Sequence, residues 1–259
     1  AIVNGSSRNY VTWGWKAGTS FTNDASATGI GTIDSTGSVN TTSGFSIISY
    51  TATGSAETIA HGLGTTPSFI ITKRRNGADS WFVWNKTFSA TQYLSMDTTN
   101  AVGSASTVFG TLPTSTVYST GGGGGTGTNG GTYISYLFAE KQGYSKFGSY
   151  TGNGNADGTF VYTGFKPAWI MRKKSSGTEN WTIHDNKRDT HNVTFKRLLA
   201  NDSGAEYTSA SNQVDLLSNG FKCRASNDGS NASGGNYIYM AFAENPFVTG
   251  SSGIPATAR

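Results

Sequence analysis

Short runs in which apolar and polar residues alternate recur along the chain, separated by segments rich in Gly, Asn and Ser. Alternation with a period of two is typical of β-strands, and no segment keeps a helical period over several turns after a capping residue. The pattern predicts strands at Phe45–Tyr50, Glu57–His61, Phe69–Arg74, Trp81–Trp84, around Tyr93–Met96, around Thr107–Phe109 and at Tyr133–Glu140. We therefore predict an all-β fold of antiparallel β-sandwiches, with one solvated face on each sheet.

The same pattern occurs twice in the chain, about a hundred residues apart. Gly44–Trp84 and Gly143–His184 align without a gap from Tyr50 and Tyr150 onward. The matched pairs are Gly64 and Gly164, Pro67 and Pro167, Lys73 and Lys173, Gly77 and Gly177, and Trp81 and Trp181. Repeats of this length suit whole domains. The sequence predicts an internal duplication, with repeat 1 at 44–142, repeat 2 at 143–247 and a C-terminal tail at 248–259.

The N-terminal segment contains a further copy of one element. Tyr10–Ala17 has the alternation and length of the strands that close the repeats, Tyr133–Glu140 and Tyr237–Glu244. It predicts an N-terminal strand that pairs with a sheet of this chain or of a neighbouring one, since Tyr10, Trp13 and Trp15 would otherwise lie in water. The rest of 1–43 is predicted to be a Ser/Thr/Gly-rich linker with a short hairpin.

The composition favours a folded protein with little charge. Charged residues make up 13% of the 259 residues, and aromatic residues 12%, which provide apolar area to bury. No run reaches the roughly 20 apolar residues of a membrane-spanning helix, so membrane insertion is not expected. Cys223 is the only cysteine, which excludes an internal disulfide, and its place in a predicted strand favours a buried, inert thiol.

Residues suited to catalysis are few. The chain has three histidines, no Gly-x-Ser-x-Gly elbow and no H-E-x-x-H motif, and His61 and His184 align with Val161 and Trp84, which favours packing. The 153–158 loop spaces oxygen ligands as calcium loops do, but it lacks the distal Glu, so a plain Asn/Gly turn is favoured. We predict no catalytic residue, no metal site and no cofactor.

Two basic triplets occupy the same predicted hairpin in both repeats: Lys73, Arg74 and Arg75, and Arg172, Lys173 and Lys174. The net charge is +4, so these residues form either a solvated rim that discourages edge pairing or a surface that attracts polyanionic glycans. Nucleic acid is not expected as a partner, because no stacking motif accompanies the cations.

A binding site is predicted where aromatic and polar groups meet on loops. Trp81 and Trp181 are matched in both repeats, which favours the core, whereas Trp84, Tyr118 and His184 are candidates for the surface. The His184–His191 loop has the densest supply of hydrogen-bonding groups in the chain. Its candidate binding residues are His184, Asp185, Asn186, Lys187, Arg188 and Asp189.

Several long strings resemble one protein family. They are the closing Y-I-x-x-x-F-A-E, the segment Gly143–Met171, and the C-terminal 243–259 that begins Ala-Glu-Asn-Pro-Phe. The chain from about Tyr10 resembles the C-terminal region of large structural proteins of tailed bacteriophages, many of them marine or cyanobacterial. In that family the region often follows a laminin-G/concanavalin-like domain. The resemblance implies tail-fibre or other virion-surface material, and it carries no established site residue.

Three functions remain open at this point. The first is a non-enzymatic distal part of a tail fibre that binds host surface glycans at the virion surface. The second is a capsid-decoration or baseplate module that binds other virion proteins, and the third is a polysaccharide-degrading tail enzyme. By analogy with fibres a homo-oligomer is expected, with a trimer favoured.

Overall fold

A computed structural model describes residues 5–244 of the chain, so the predicted tail at 248–259 lies outside the described residues. The N-terminal part and repeat 1 contain β1 (Thr19–Asn23), α1 (Ala25–Thr28), β2 (Ser35–Asn40), β3 (Phe45–Thr51), β4 (Ala56–Ala60), β5 (Phe69–Arg74), β6 (Phe82–Asn85), β7 (Gln92–Ser95), β8 (Gly103–Ser104), β9 (Val117–Gly121) and β10 (Thr132–Phe138). Repeat 2 contains β11 (Ser145–Thr151), β12 (Phe160–Tyr162), β13 (Pro167–Lys174), β14 (Thr182–Asp185), β15 (Lys196–Leu199), β16 (Tyr207–Thr208), β17 (Val214–Leu217), β18 (Gly220–Cys223) and β19 (Asn236–Ala243). The all-β prediction is confirmed. In this part of the chain no helix is long and apolar enough to cross a lipid bilayer.

Each repeat builds one large antiparallel sheet around its closing strand. Main sheet 1 has the order β1-β2-β3-β10-β5-β6-β7-β8, and main sheet 2 has the order β11-β19-β13-β14-β15-β16. The central order β3-β10-β5-β6-β7 is therefore reproduced as β11-β19-β13-β14-β15. Trp81 and Trp181 each stand directly before equivalent strands, β6 and β14.

A smaller sheet covers one face of each main sheet. Small sheet 1 is the pair β4-β9, and small sheet 2 has the order β12-β18-β17. The core of repeat 2 lies between its two sheets, where Ile170 and Tyr239 pack with Val214, Leu216 and Phe221. Strand alternation determines these contacts, because successive side chains point to opposite faces of the sheet.

The other faces of the two main sheets pack against each other, so four β-layers are stacked. One apolar cluster joins repeat 1 to residues of repeat 2 that include Phe147, Ile238 and Phe242. Phe69 and Phe147 have ring centroids 5.9 Å apart, and so do Phe138 and Phe242. The expectation of a solvated face on each sheet is therefore wrong for the main sheets, because the duplicated unit buries its second apolar face against its own copy.

The segment Tyr10–Ala17 is not a strand within this chain, which corrects the prediction of pairing with one of its own sheets. It runs without a hydrogen-bonded ladder, and its two tryptophans pack across the ends of the main sheets instead. Trp13 lies 6.1 Å from Trp169, while Trp15 contacts Trp169 at 5.7 Å and Phe242 at 5.3 Å, in edge-to-face geometry. Aromatic packing thus accounts for the alternation of apolar and polar residues in Tyr10–Ala17. The hairpin β1–β2 that follows joins main sheet 1 instead, because β2 pairs with β3.

The predicted strand around Thr107–Phe109 is also wrong. These residues form a turn, and the strand that pairs with β4 is β9. Hydroxyl groups and single backbone bonds replace a ladder here. The Val108 carbonyl accepts from Thr126 Oγ1 and from the Gly121 N–H at 2.9 Å, and the Phe109 carbonyl accepts from Ser119 Oγ and from the Thr111 N–H at 3.0 Å. Since the buried backbone is satisfied in this way, Val108 and Phe109 are buried without strand pairing.

Candidate binding site

The three aromatic residues proposed for the surface are buried. Trp84, Tyr118 and His184 have relative exposures of 3%, 1% and 0%. Trp84 and His184 stand at matched places in β6 and β14 and point between a main sheet and a small sheet, and Tyr118 lies in small sheet 1. A surface role for these three side chains is therefore wrong. Trp81, expected in the core, is instead 37% exposed.

The loop after β14 is held in shape by Asp185. Its carboxylate accepts hydrogen bonds from the backbone N–H of Lys187 at 3.0 Å and of Arg188 at 2.9 Å, and from Arg188 Nε at 2.6 Å. Arg188 also pairs with Glu206 at 3.1 Å and lies over the Trp13 ring. Asp185 and Arg188 thus stabilise the loop and have little capacity left for a ligand.

Two further side chains fix the rest of the loop. Asp189 accepts from the backbone N–H of Phe195 at 2.7 Å and of Lys196 at 2.6 Å. The Asn192 amide group exchanges two hydrogen bonds with the backbone of Leu216, at 3.0 and 2.9 Å. The loop is consequently a rigid scaffold, which lowers the entropy cost of binding.

Within this scaffold the loop lines a polar pocket of about 230 Å³, which we call the notch. It is formed by Lys166, Asn186, Lys187, Asp189, Thr190, His191, Asn192, Thr194, Leu216 and Glu244. Asn186 Nδ2 donates to Glu244 Oε1 at 2.8 Å, and Glu244 pairs with Lys166 at 2.8 Å. Lys187 and His191 are exposed at the rim. The loop residues Asn186, Lys187 and Asp189 are therefore brought together, while Asp185 and His184 point away.

The groups open to a ligand stand at the rim of the notch. Lys187, Thr190 and His191 are exposed there. Asn186 Oδ1 has no hydrogen-bond partner among the described residues, but it is closed to solvent and so to a ligand in the notch. The volume lies below the roughly 300–1,000 Å³ of sites for drug-sized ligands, which suits one sugar unit.

The basic triplets do not form equivalent rims. Arg172 and Lys173 have no exposed surface, which contradicts the rim prediction for repeat 2. Lys173 Nζ donates to the carbonyls of Lys174 at 2.6 Å and Gly177 at 3.2 Å, and burial lowers its pKa to about 8. Lys174 pairs with Asp228 at 3.4 Å. The buried lysine therefore ties the hairpin loop together.

In repeat 1 the triplet stays nearer to solvent. Lys73 Nζ donates to the Asp79 carbonyl, and Arg74 pairs with Asp79 at 3.2 Å. Arg75 is exposed and lines an open groove of about 610 Å³ together with Thr32, Asp34, Ser49, Thr51 and Thr132. Local sequence patterns did not predict this groove, because its hydroxyls come from strands that are far apart in the chain.

His61 and Asp157, two further titratable residues considered from the sequence, are both engaged in contacts within the protein. His61 Nδ1 accepts from the Leu63 backbone N–H at 3.1 Å, and burial lowers the pKa of His61 to about 4. Asp157 pairs with Lys222 and Arg224, so the 153–158 loop has no free carboxylate. No group of three metal-ligating side chains occurs within residues 5–244.

A family model for a domain of unknown function, DUF7483, matches residues 1–246. The chain belongs to this family. No curated protein and no solved structure matches it.

Proposed function

We propose that this protein is a non-enzymatic module of a tailed-phage virion surface, and that it binds host surface glycans at the notch. The observation that carries the proposal is a polar pocket on a rigid loop, with Lys187, Thr190 and His191 exposed at its rim. The resemblance to phage structural proteins supports the setting at the virion surface and suggests an oligomer, as in fibres.

The chemistry of the lining supports recognition of a neutral or acidic sugar. Lys187 and His191 offer donors at the rim, the exposed Thr190 hydroxyl can donate or accept, and Thr190 Oγ1 lies 2.9 Å from His191 Nδ1. Leu216 adds a small apolar surface against which a sugar ring can pack. Such a site binds by hydrogen bonds and shape. Both carboxylates of its lining are engaged within the protein, since Asp189 accepts two backbone N–H groups and Glu244 pairs with Lys166.

Binding to an array of bacterial surface polysaccharides tests this proposal. The double variant Lys187→Ala/His191→Ala removes two exposed side chains and leaves the Asp185–Arg188 scaffold intact. We expect at least tenfold weaker binding with an unchanged unfolding midpoint. Lys16→Ala, an exposed lysine far along the chain from the notch, is the charge-matched control and should bind as the wild type does. Undiminished binding by the double variant would overturn the notch as the site.

One observation favours the second function, a module that binds virion proteins. In repeat 1 the outer edge of β3 is covered by β2, whereas in the described part of repeat 2 no strand pairs with the outer edge of the equivalent β11. Glu140 Oε1 accepts the outward N–H of Phe147 at 3.0 Å, but Ser149 further along remains exposed. An unpaired edge of this kind is a template for an added strand.

The partner proposed for this edge is a second copy of the chain. Ser149→Lys places a charge at the exposed edge and should lower self-association in sedimentation experiments, while Lys16→Ala should not. A wild-type protein that stays monomeric at high concentration would count against this second function and would leave glycan binding untouched.

A further inference from the structure

Four polar side chains form one patch on the inner face of main sheet 2. Arg172 of β13 pairs directly with Thr182 of β14, and His184 lies two residues further along β14. The register Thr182↔Leu199 and Ile183↔Leu198 places Arg197 of β15 opposite His184. Side chains that face each other across neighbouring strands have Cβ atoms about 5 Å apart. The patch faces small sheet 2, because Ile170 on the same face of β13 packs there.

The patch carries two arginines that have no carboxylate within ion-pair distance among the described residues. Arg172 is fully buried, and its guanidinium donates to the Asn212 carbonyl at 2.9 Å and contacts Cys223 Sγ at 3.4 Å. Arg197 donates to the Ser211 carbonyl and lies over the Tyr207 ring. Neither arginine forms an ion pair within residues 5–244. A buried cation without a counter-charge is strongly unfavourable.

The same side chains have hydrogen-bonding atoms to spare. Five buried atoms lack a partner among the described residues: Nε of Arg172, Nε of Arg197, Oγ1 of Thr182, and Nδ1 and Nε2 of His184. Arg172, Thr182 and His184 are at most 1% exposed. Native proteins leave few such groups unsatisfied, so this concentration in one patch calls for a bound partner.

Repeat 1 shows that the fold itself does not need this patch. The equivalent places hold Thr72, Phe82, Trp84 and Tyr93, with the pairings Thr72↔Phe82 and Val83↔Leu94. Phe82 and Tyr93 contact edge to face at 5.4 Å, and Thr72 Oγ1 lies 2.8 Å from Ser135 Oγ. An apolar, satisfied arrangement at these places in one copy has been replaced by two arginines, a histidine and a threonine in the other.

We propose that Arg172, Thr182, His184 and Arg197 bind a small inorganic anion of halide size between the two sheets of repeat 2. The guanidinium N–H groups, the threonine O–H and one imidazole N–H would donate to it. A halide accepts several such donors without a directional requirement and supplies the missing negative charge. A water molecule would satisfy the hydrogen bonds but leave the charge uncompensated. Burial, together with the positive charges of Arg172, Arg188 and Arg197, lowers the pKa of His184 well below its ordinary value, so its ring is a neutral donor.

The test combines diffraction and unfolding of the full chain. Crystals grown in bromide should show an anomalous peak among the four side chains. At constant ionic strength, replacing gluconate by bromide should lower the unfolding equilibrium constant by about tenfold for each tenfold rise in bromide above its dissociation constant. Arg172→Met should abolish both effects. Should that variant fail to fold, Thr182→Val and the half-buried Arg197→Gln should each weaken them.

Matched variants test whether the bromide response comes from this patch. Thr72→Val, at the place in repeat 1 that corresponds to Arg172, should keep the full bromide response. Cys223→Ser should also keep it. Density without an anomalous signal, or a wild-type protein whose stability ignores bromide, would show that water alone fills the patch and would overturn the proposal.

Discussion

The indole Nε1 of Trp181 in repeat 2 donates a hydrogen bond of 2.9 Å to the backbone carbonyl of Ser95 in repeat 1. Next to it, backbone bonds of 2.9 Å run from Val102 N–H to the Ser175 carbonyl and from Glu179 N–H to the Thr99 carbonyl. The matched Trp81 makes no such bond in the described structure. It lines an apolar cleft of about 440 Å³ between the repeats. The interface between the repeats is therefore joined by hydrogen bonds near Trp181, whereas near Trp81 it leaves an apolar cleft.

This asymmetry predicts unequal costs for the same substitution. Trp181→Phe removes a buried hydrogen bond and part of the packing, and should cost about 1–3 kcal/mol of unfolding free energy. Trp81→Phe, at the half-exposed position, should stay within about 0.5 kcal/mol of the wild type. Urea unfolding of both variants measures the difference. Equal costs would show that the two tryptophans are equivalent in solution.

The Asp185–Arg188 pair should be needed for the shape of the notch loop. Asp185→Asn leaves the Arg188 guanidinium without its buried counter-charge, and should cost roughly 3 kcal/mol. Lys187→Ala in the same loop should be neutral, because that side chain is exposed. Chemical denaturation gives the free energies, and a neutral Asp185→Asn variant would contradict a structural role for the pair.

Stability should fall in mild acid because of His61. The unfolded pKa is near 6.5 and the folded pKa is about 4, so the unfolded state binds the proton first as the pH falls. The contribution of His61 is present above pH 6.5 and is lost progressively down to about pH 4, by an amount of the order of 3 kcal/mol. His61→Gln keeps an acceptor for the Leu63 N–H, and its stability should depend less on pH in this window. Parallel pH curves for the two proteins would refute the assignment.

Gly37 should be essential for the docking of the β1–β2 hairpin. A Cβ at this position would lie 1.8 Å from the Ile47 carbonyl oxygen of β3, so Gly37→Ala has to move the backbone of the hairpin. We expect a cost of about 1–3 kcal/mol and faster amide exchange in β1 and β2. Gly14→Ala, whose Cβ would have no neighbour within 4 Å, is the control and should exchange as the wild type does.

The local periodicity of apolar and polar residues was sufficient to predict the all-β fold and the positions of most strands. The alternation in Phe69–Arg74 and in Tyr237–Ala243 follows from the pleat of a strand, and the duplicated register shows that both copies use it in the same way. The same local information failed at Tyr10–Ala17 and Thr107–Phe109. There, aromatic packing and hydroxyl groups satisfy the apolar and polar requirements without a ladder.

The sequence by itself determined which residues are apolar, where strands alternate with turns, and that the unit is written twice. Only the tertiary structure decided what covers each face, because a period of two says nothing about the partner on either side of a sheet. Once a small sheet covers the inner face of each main sheet, Trp84 and His184 are buried and the patch around Arg172 lies in the interior. The polar loop after β14 was visible in the sequence. The notch depends on Lys166, Leu216 and Glu244, which long-range folding brings to it.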